Sequence, residues 1–191
     1  MEVAEMKERL LQLAETFAEQ EAHLTELDRA IGDGDHGVNM LRGFKALSNQ
    51  IDDSSMAQLF KSTGMTLMSQ IGGASGPLYG FSFVKMSQVV DDDFSKEQLP
   101  NVLEAFAEAV VQRGKVERGE KTMFDVIDRA REAVANDERV TLEVLQGYAQ
   151  DTVDLEATKG RAAYFKEESI GHMDPGAQSS VYILDALIGE V

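Results

Sequence analysis

At 191 residues and 43% hydrophobic content, the chain is long enough to bury one sizeable core and short enough to do so as a single domain, residues 1–191. A net charge of −16, from 18 basic and 34 acidic residues spread along the chain, repels polyanions and excludes nucleic acid and anionic membrane as partners; any phosphate-bearing ligand then needs a cation or backbone N–H groups beside it. Cysteine is absent, which removes disulfides, thiolate metal sites and thiol catalysis and fits a cytoplasmic protein.

The N-terminal stretch MEVAEMKERLLQLAETFAEQ has charges throughout, unlike a signal peptide or a membrane helix, so a soluble, unexported chain is expected. Val3, Met6, Leu10, Leu13, Phe17, Leu24 and Leu27 recur mostly at steps of three and four, which predicts a first amphipathic helix. Further helices are predicted over 37–50, 55–70, 75–90, 100–113, 121–136, 141–158 and 178–189, each ended by glycine, proline or a polar cluster. Ser55 with Gln58 fits a capping box, and Pro100 falls where a first helical turn tolerates a missing N–H. With no sustained two-residue alternation, the fold class is all-α, with about eight helices in an antiparallel bundle.

Glycines gather at GDGDHG, GGASG, RGKVERG and IGHMDPG, all between helices. Each of these loops carries a group able to meet an anion or a metal. In an antiparallel bundle alternate loops share one end, so these four loops can build one site.

In AIGDGDHGVNM, Asp28 lies near the end of the first helix, and Asp33 and Asp35 point the same way from a glycine-spaced turn. Three converging carboxylates repel unless a hard cation neutralises them, and Mg²⁺ and Ca²⁺ favour such oxygen ligands. A calcium hand fails, because Gly37, Val38 and Phe44 occupy the positions where it needs Asp or Asn, Gly and a distal Glu. Magnesium commonly completes its octahedron with phosphate oxygens, which suggests a metal that carries a nucleotide.

Backbone N–H groups of His36, Gly37, Val38 and Asn39 open the next helix and can meet a phosphate. His36 is an anion contact rather than a base, and His23 and His172 have weaker claims. Ala74 and Ser75, in small residues leading into a helix, offer a second set of N–H groups. Lys159 and Arg161 are scarce cations, and a guanidinium suits phosphate. Met65 and Met123 read first as core filler, although a thioether also packs against an adenine ring. No Walker motif, zinc His pair or kinase His-Arg-Asp arrangement is present.

AIGDGDHGVNM, IGGASGPLYG, GEKTMFDV and KGRAAYFKEESIGHMDPGA, in this order, make the chain resemble the ADP-binding L subunits of dihydroxyacetone kinases from about residue 25 onward. Glu120 replaces the family's usual Asp in GDKTM, and Met173 fills a variable place in GHxDPG. The resemblance implies an eight-helix antiparallel barrel with nucleotide and metal at one end. It implies Asp28, Asp33 and Asp35 as ligands of two Mg²⁺ ions. His36 to Asn39, Ala74, Ser75, Gly114, Met123, Arg161, Asp174, Pro175 and Gly176 would line the nucleotide site, with Arg161 also the candidate catalytic residue.

A free-standing domain of this length resembles the form that depends on the phosphotransferase system. There, ADP stays tightly bound, is rephosphorylated by a phosphohistidine on an M subunit, and passes the phosphoryl group to dihydroxyacetone on a K subunit. The resemblance leaves other readings: the L-type domain of a fused ATP-dependent kinase, the nucleotide domain of a fatty acid kinase, or a co-regulator that docks on a transcription factor. A homodimer is a further candidate assembly.

Overall fold

The structure is a computed structural model and describes residues 1–91 and 94–189. Eight α-helices are found among the described residues: α1 Val3–Ile31, α2 His36–Ala46, α3 Met56–Gln70, α4 Ser75–Met86, α5 Leu99–Gly114, α6 Met123–Ala135, α7 Leu142–Gln150 and α8 Pro175–Ile188. The connections hold 3-10 turns at Leu47–Asn49, Asp151–Asp154 and Arg161–Ser169. No helix among these residues is long and apolar enough to cross a membrane.

Helix starts follow local chemistry. Ser55 Oγ accepts the Gln58 N–H, Thr141 Oγ1 accepts that of Val144, and Thr122 and Asp125 form a reciprocal capping box at the head of α6. Pro100 lies in the first turn of α5, as its spacing predicts.

Several predicted boundaries move, among them the end of the helix predicted over 75–90, which closes at Met86. α8 begins at Pro175 rather than 178, because the Asp174 carboxylate accepts the Ala177 N–H and proline suits a first helical position. The helix predicted over 37–50 stops at Ala46 and tightens into a 3-10 turn. The helix predicted over 141–158 stops at Gln150. Beyond it, the carbonyls of Thr152, Val153 and Leu155 turn to the Lys121 ammonium instead of continuing the helical ladder.

Each helix packs on its neighbours in sequence, α1 packs against α8 to close the ring, and α6 also meets α8 directly beside the short α7. One continuous apolar core draws on all eight helices. Phe60 stands edge-on to Phe83 at 5.7 Å and to Phe94 at 6.2 Å, and Phe17 packs on Phe44 at 4.7 Å. Burying each such ring contributes roughly 1.5–3 kcal/mol. Met65 is not core filler: the inward face of α3 is made by Leu59, Phe60, Thr63 and Leu67, and Met65 falls off it, 58% exposed.

Helices α1 and α2 approach at van der Waals limits. A Cβ on Gly37 would stand 2.2 Å from the Glu21 carbonyl oxygen, so only glycine admits this crossing. The up-and-down path puts the amino ends of α2, α4, α6 and α8 at the end of the barrel where α1 finishes.

Candidate functional site

At that end α1 runs into the acidic loop. Asp28, in the last turn of α1, is buried, and its Oδ2 accepts the N–H groups of Asp35 at 2.9 Å and His36 at 3.1 Å. The loop is thus folded back onto the helix before it, with Asp28 Oδ1 left to face Gly32. A Cβ on Gly32 would stand 2.1 Å from that oxygen, so glycine keeps it uncovered. Asp33 and Asp35 are exposed, and one carboxylate oxygen from each of Asp28, Asp33 and Asp35 lies within 4.8 Å of the others.

Two unit charges 4 Å apart repel by about 1 kcal/mol in water and about 4 kcal/mol at an effective dielectric of 20. Three such groups call for a cation, and hard carboxylate oxygens fit a divalent one. Part of the demand is met within the chain: the Arg161 guanidinium pairs with Asp33. Lys159 turns elsewhere, with its Nζ 3.8 Å from Glu120. A cavity of about 450 Å³ beside the loop is bounded by Gly32, Arg161, Tyr164 and Phe165, and Tyr164 is 87% exposed. A larger cavity, about 1420 Å³, opens at the opposite end of the barrel among Leu13, Thr16, Val140, Leu142 and Tyr182. None of the candidate site residues lines it.

The structure brings the other predicted residues to the acidic end. At the head of α2, Gly37 and Asn39 are buried and Val38 is exposed. The His36 N–H is taken by Asp28 and the Asn39 N–H by the Asp35 carbonyl. That leaves the Gly37 and Val38 N–H groups as the first-turn donors free of those bonds. Asn39 Oδ1 accepts from Arg42, which also reaches the Gln70 carbonyl at the end of α3.

His36 is buried and bonded on both ring nitrogens, Nε2 to Ser179 Oγ at 3.0 Å and Nδ1 to Ser75 Oγ at 3.3 Å. Burial pulls its imidazole down to about 4, against the opposing pull of Asp28 and Asp35, so the ring is neutral at physiological pH. It joins the heads of α2, α4 and α8.

Ala74 caps α4 and Ser75 opens it. Met123, buried, opens α6, and a Cβ on Gly176 would lie 3.5 Å from Met123 Cβ, which places the heads of α6 and α8 side by side. Pro175 is buried behind Asp174. Burial pushes the Asp174 carboxyl up to about 7, offset by the Ala177 N–H and the Lys121 charge and reinforced by Asp125 and Asp28. Gly114 ends α5 at the start of the loop that leads to Met123.

Lys121 is a functional residue that no spacing or motif in the sequence singles out. Its side chain is 1% exposed, and Nζ donates to the carbonyls of Thr152 at 2.6 Å, Leu155 at 3.0 Å and Val153 at 3.2 Å. Burial pulls the ammonium below the usual lysine range, while Asp174, Asp154 and Asp125 hold it up. Its one local mark is its place directly before the Thr122 and Asp125 capping pair. Tyr79, one turn after Ser75, was also missed; its hydroxyl reaches Ser179, Ser180 and the Gly176 carbonyl.

The DAK2 domain family matches residues 30–189. The chain is 47% identical over 178 residues to the ADP-binding subunit of PEP-dependent dihydroxyacetone kinase 1 of Listeria innocua, covering 91% of this chain and 89% of that one. It is 38% identical over 193 residues to the ADP-binding subunit of the PEP-dependent dihydroxyacetone kinase of Escherichia coli, covering 93% and 92%. The dihydroxyacetone kinase of C. freundii in complex with AMP-PNP and Mg²⁺ superposes with a TM-score of 0.71 at 24% identity, over 98% of this chain and 34% of that one. That likeness extends to the fold, and this chain spans about a third of the larger kinase. By these matches the chain belongs to the DAK2 domain family, among the ADP-binding subunits of dihydroxyacetone kinases.

Proposed function

We propose that this chain is the nucleotide-carrying half of a split dihydroxyacetone kinase of the phosphotransferase-dependent kind, working in the cytoplasm as one domain over residues 1–191. ADP is held tightly, accepts a phosphoryl group from a phosphohistidine on an M subunit, and yields it to dihydroxyacetone on a K subunit, giving dihydroxyacetone phosphate. The observation that carries this reading is the triangle of Asp28, Asp33 and Asp35 oxygens within 4.8 Å at the end where the heads of α2, α4, α6 and α8 meet. The kinase names of the relatives favour it over a co-regulator.

Asp28, Asp33 and Asp35 would hold two Mg²⁺ ions, which when bound neutralise phosphate charge. The chain's own work is positioning. Asp28 fixes the loop through two backbone N–H groups and offers its second oxygen outward. The first-turn N–H groups of α2 and α4 face an anion at their helix ends, with Gly37, Val38, Ala74 and Ser75 as contacts. Met123, Gly114 and the Asp174–Pro175–Gly176 turn form the opposite wall. Arg161 supplies a permanent charge at the mouth, where a transferring phosphoryl group gathers charge. No general base is drawn from this chain, so the hydroxyl of the acceptor is activated by the partner subunit.

The test is to denature the purified protein and identify what it releases. Stoichiometric ADP with about two magnesium ions per chain is expected; a protein that holds neither and shows no affinity for them overturns the reading. Asp33→Asn should abolish transfer in the reconstituted system while helical content is kept, and full activity in that variant counts against the metal assignment.

A further inference from the structure

Behind the mouth of the site, a file of polar groups runs from Ser75 into the middle of the barrel. Ser75 Oγ meets His36 Nδ1 at 3.3 Å, and His36 Nε2 meets Ser179 Oγ at 3.0 Å. Ser179 Oγ lies 2.7 Å from Tyr79 Oη, which also lies 2.8 Å from Ser180 Oγ. The file ends on the Gly176 carbonyl, which faces Tyr79 Oη at 3.0 Å and Ser179 Oγ at 3.1 Å. Tyr79, Ser179 and Ser180 are 0% exposed, so their protons are placed within the protein.

The direction of the file follows from its end. A carbonyl only accepts, so a hydroxyl bonded to it must be the donor. If Tyr79 donates to Gly176, the 2.7 Å contact between Tyr79 and Ser179 takes the serine proton. If Ser179 donates to Gly176, its proton is equally committed. With the Gly176 carbonyl holding either proton, Ser179 offers His36 only lone pairs, so Nε2 of the neutral ring carries the proton and Nδ1 accepts from Ser75; the opposite order, Tyr79 donating to Ser179 and Ser179 to Nε2, leaves that carbonyl with neither hydroxyl proton.

We infer that Ser179, anchored by Tyr79, is a positioning residue that holds His36 in the Nε2–H form, draws the Ser75 proton inward and leaves the Ser75 oxygen facing the site as an acceptor. Ser75 then receives an O–H donor of the ligand, a sugar hydroxyl or a cation-bound water, and phosphate oxygens are met by backbone N–H groups instead. This rests on Ser75 as a nucleotide contact.

Nitrogen NMR on the full chain labelled at its three histidines, with calorimetry of ADP in excess Mg²⁺, tests it. The ligand-free wild type should show His36 as Nε2–H. Ser179→Ala removes the acceptor of that proton and should move the ring to Nδ1–H, turn the Ser75 proton outward and weaken ADP roughly three- to tenfold, the loss of one hydrogen bond. Ser179→Thr should restore both readouts. Weakening of ADP but not of pyrophosphate identifies the sugar hydroxyl, and equal weakening of both identifies the cation-bound water.

A wild-type Nδ1–H ring, an unchanged ring in Ser179→Ala, or ADP bound by that variant as tightly as by wild type each overturns the inference. If Ser179→Ala does not fold, Tyr79→Phe frees Ser179 to donate to Nε2 and should bring in the Nδ1–H form; a ring left wholly Nε2–H overturns the inference. If wild type fails to bind Mg²⁺ and ADP at all, the proposed function falls, and the wild-type ring form still decides the positioning role.

Discussion

The Arg161 guanidinium pairs with the Asp33 carboxylate across the mouth of the acidic loop, although 128 positions separate them in sequence. The arginine answers, from within the chain, the same excess of negative charge that a divalent cation would answer. The side chains are 66% and 38% exposed, so the pair is screened and contributes about 0–1 kcal/mol.

Arg161→Ala should therefore leave the melting temperature almost unchanged, within about 4 °C for a chain of this size. Removing a competing cation should also tighten Mg²⁺ binding in the absence of nucleotide. Transfer to dihydroxyacetone should fall by about a hundredfold or more, since an arginine at a transferring phosphate commonly carries such a factor. Calorimetry with Mg²⁺ and a coupled assay of the reconstituted subunits read the two effects separately.

Lys121→Met should behave in the opposite way, with a large loss of stability. It removes one ammonium from three carbonyls, that of buried Thr152 and those of half-buried Val153 and Leu155, of which Val153 keeps the Gly171 N–H. Leaving a buried acceptor unpaired costs about 1–3 kcal/mol. A fall in melting temperature of about 5 °C or more is expected. Chemical denaturation should show the midpoint lowered with its slope kept.

Gly37→Ala tests the crossing of α1 and α2. The added methyl would stand 2.2 Å from the Glu21 carbonyl oxygen and 2.6 Å from Thr25 Oγ1. Neither backbone can yield without parting the two helices, so a loss of about 1–3 kcal/mol is expected, as for other overpacked sites. Because Gly37 also sits in the first turn of α2, nucleotide affinity should fall with it. A thermal melt and a titration with ADP in Mg²⁺ check both.

Asp174 sets a pH dependence whose sign is worked out from its raised pKa. Its carboxyl stands at about 7 in the folded protein against 3.8 as its ordinary value, chiefly through burial. Between those values the folded state binds more protons than the unfolded state, so stability falls as pH rises from about 4 to 7. The groups that face it are Ala177 N–H on α8, Asp125 on α6, Lys121 in the loop before it and Asp28 on α1. Since the residue as a whole is only half-buried, the slope should be modest. Asp174→Asn should flatten it, as read by melting temperatures of the nucleotide-free protein across that range.

Much of this was legible in the sequence because it is local. The three- and four-residue spacing of Met6, Leu10, Leu13 and Phe17 marks the buried stripe of α1. Ser55 and Pro100 mark helix starts within one turn of themselves. The crowding of Asp28, Asp33 and Asp35 is fixed within eight residues, so a cation-seeking cluster could be read before any fold was known.

What only the tertiary structure decided is who answers each buried charge or proton. Lys121 takes its acceptors 31 to 34 residues away, His36 finds Ser179 143 residues away, and Tyr79 reaches Ser180 101 residues away. The same long-range pull ends α7 at Gln150, where the spacing alone predicted a helix to 158. Periodicity and caps act over one helical turn, whereas desolvation lets a buried polar group bond whatever the closed barrel brings within about 3 Å. That choice is made by the ring of helices as a whole.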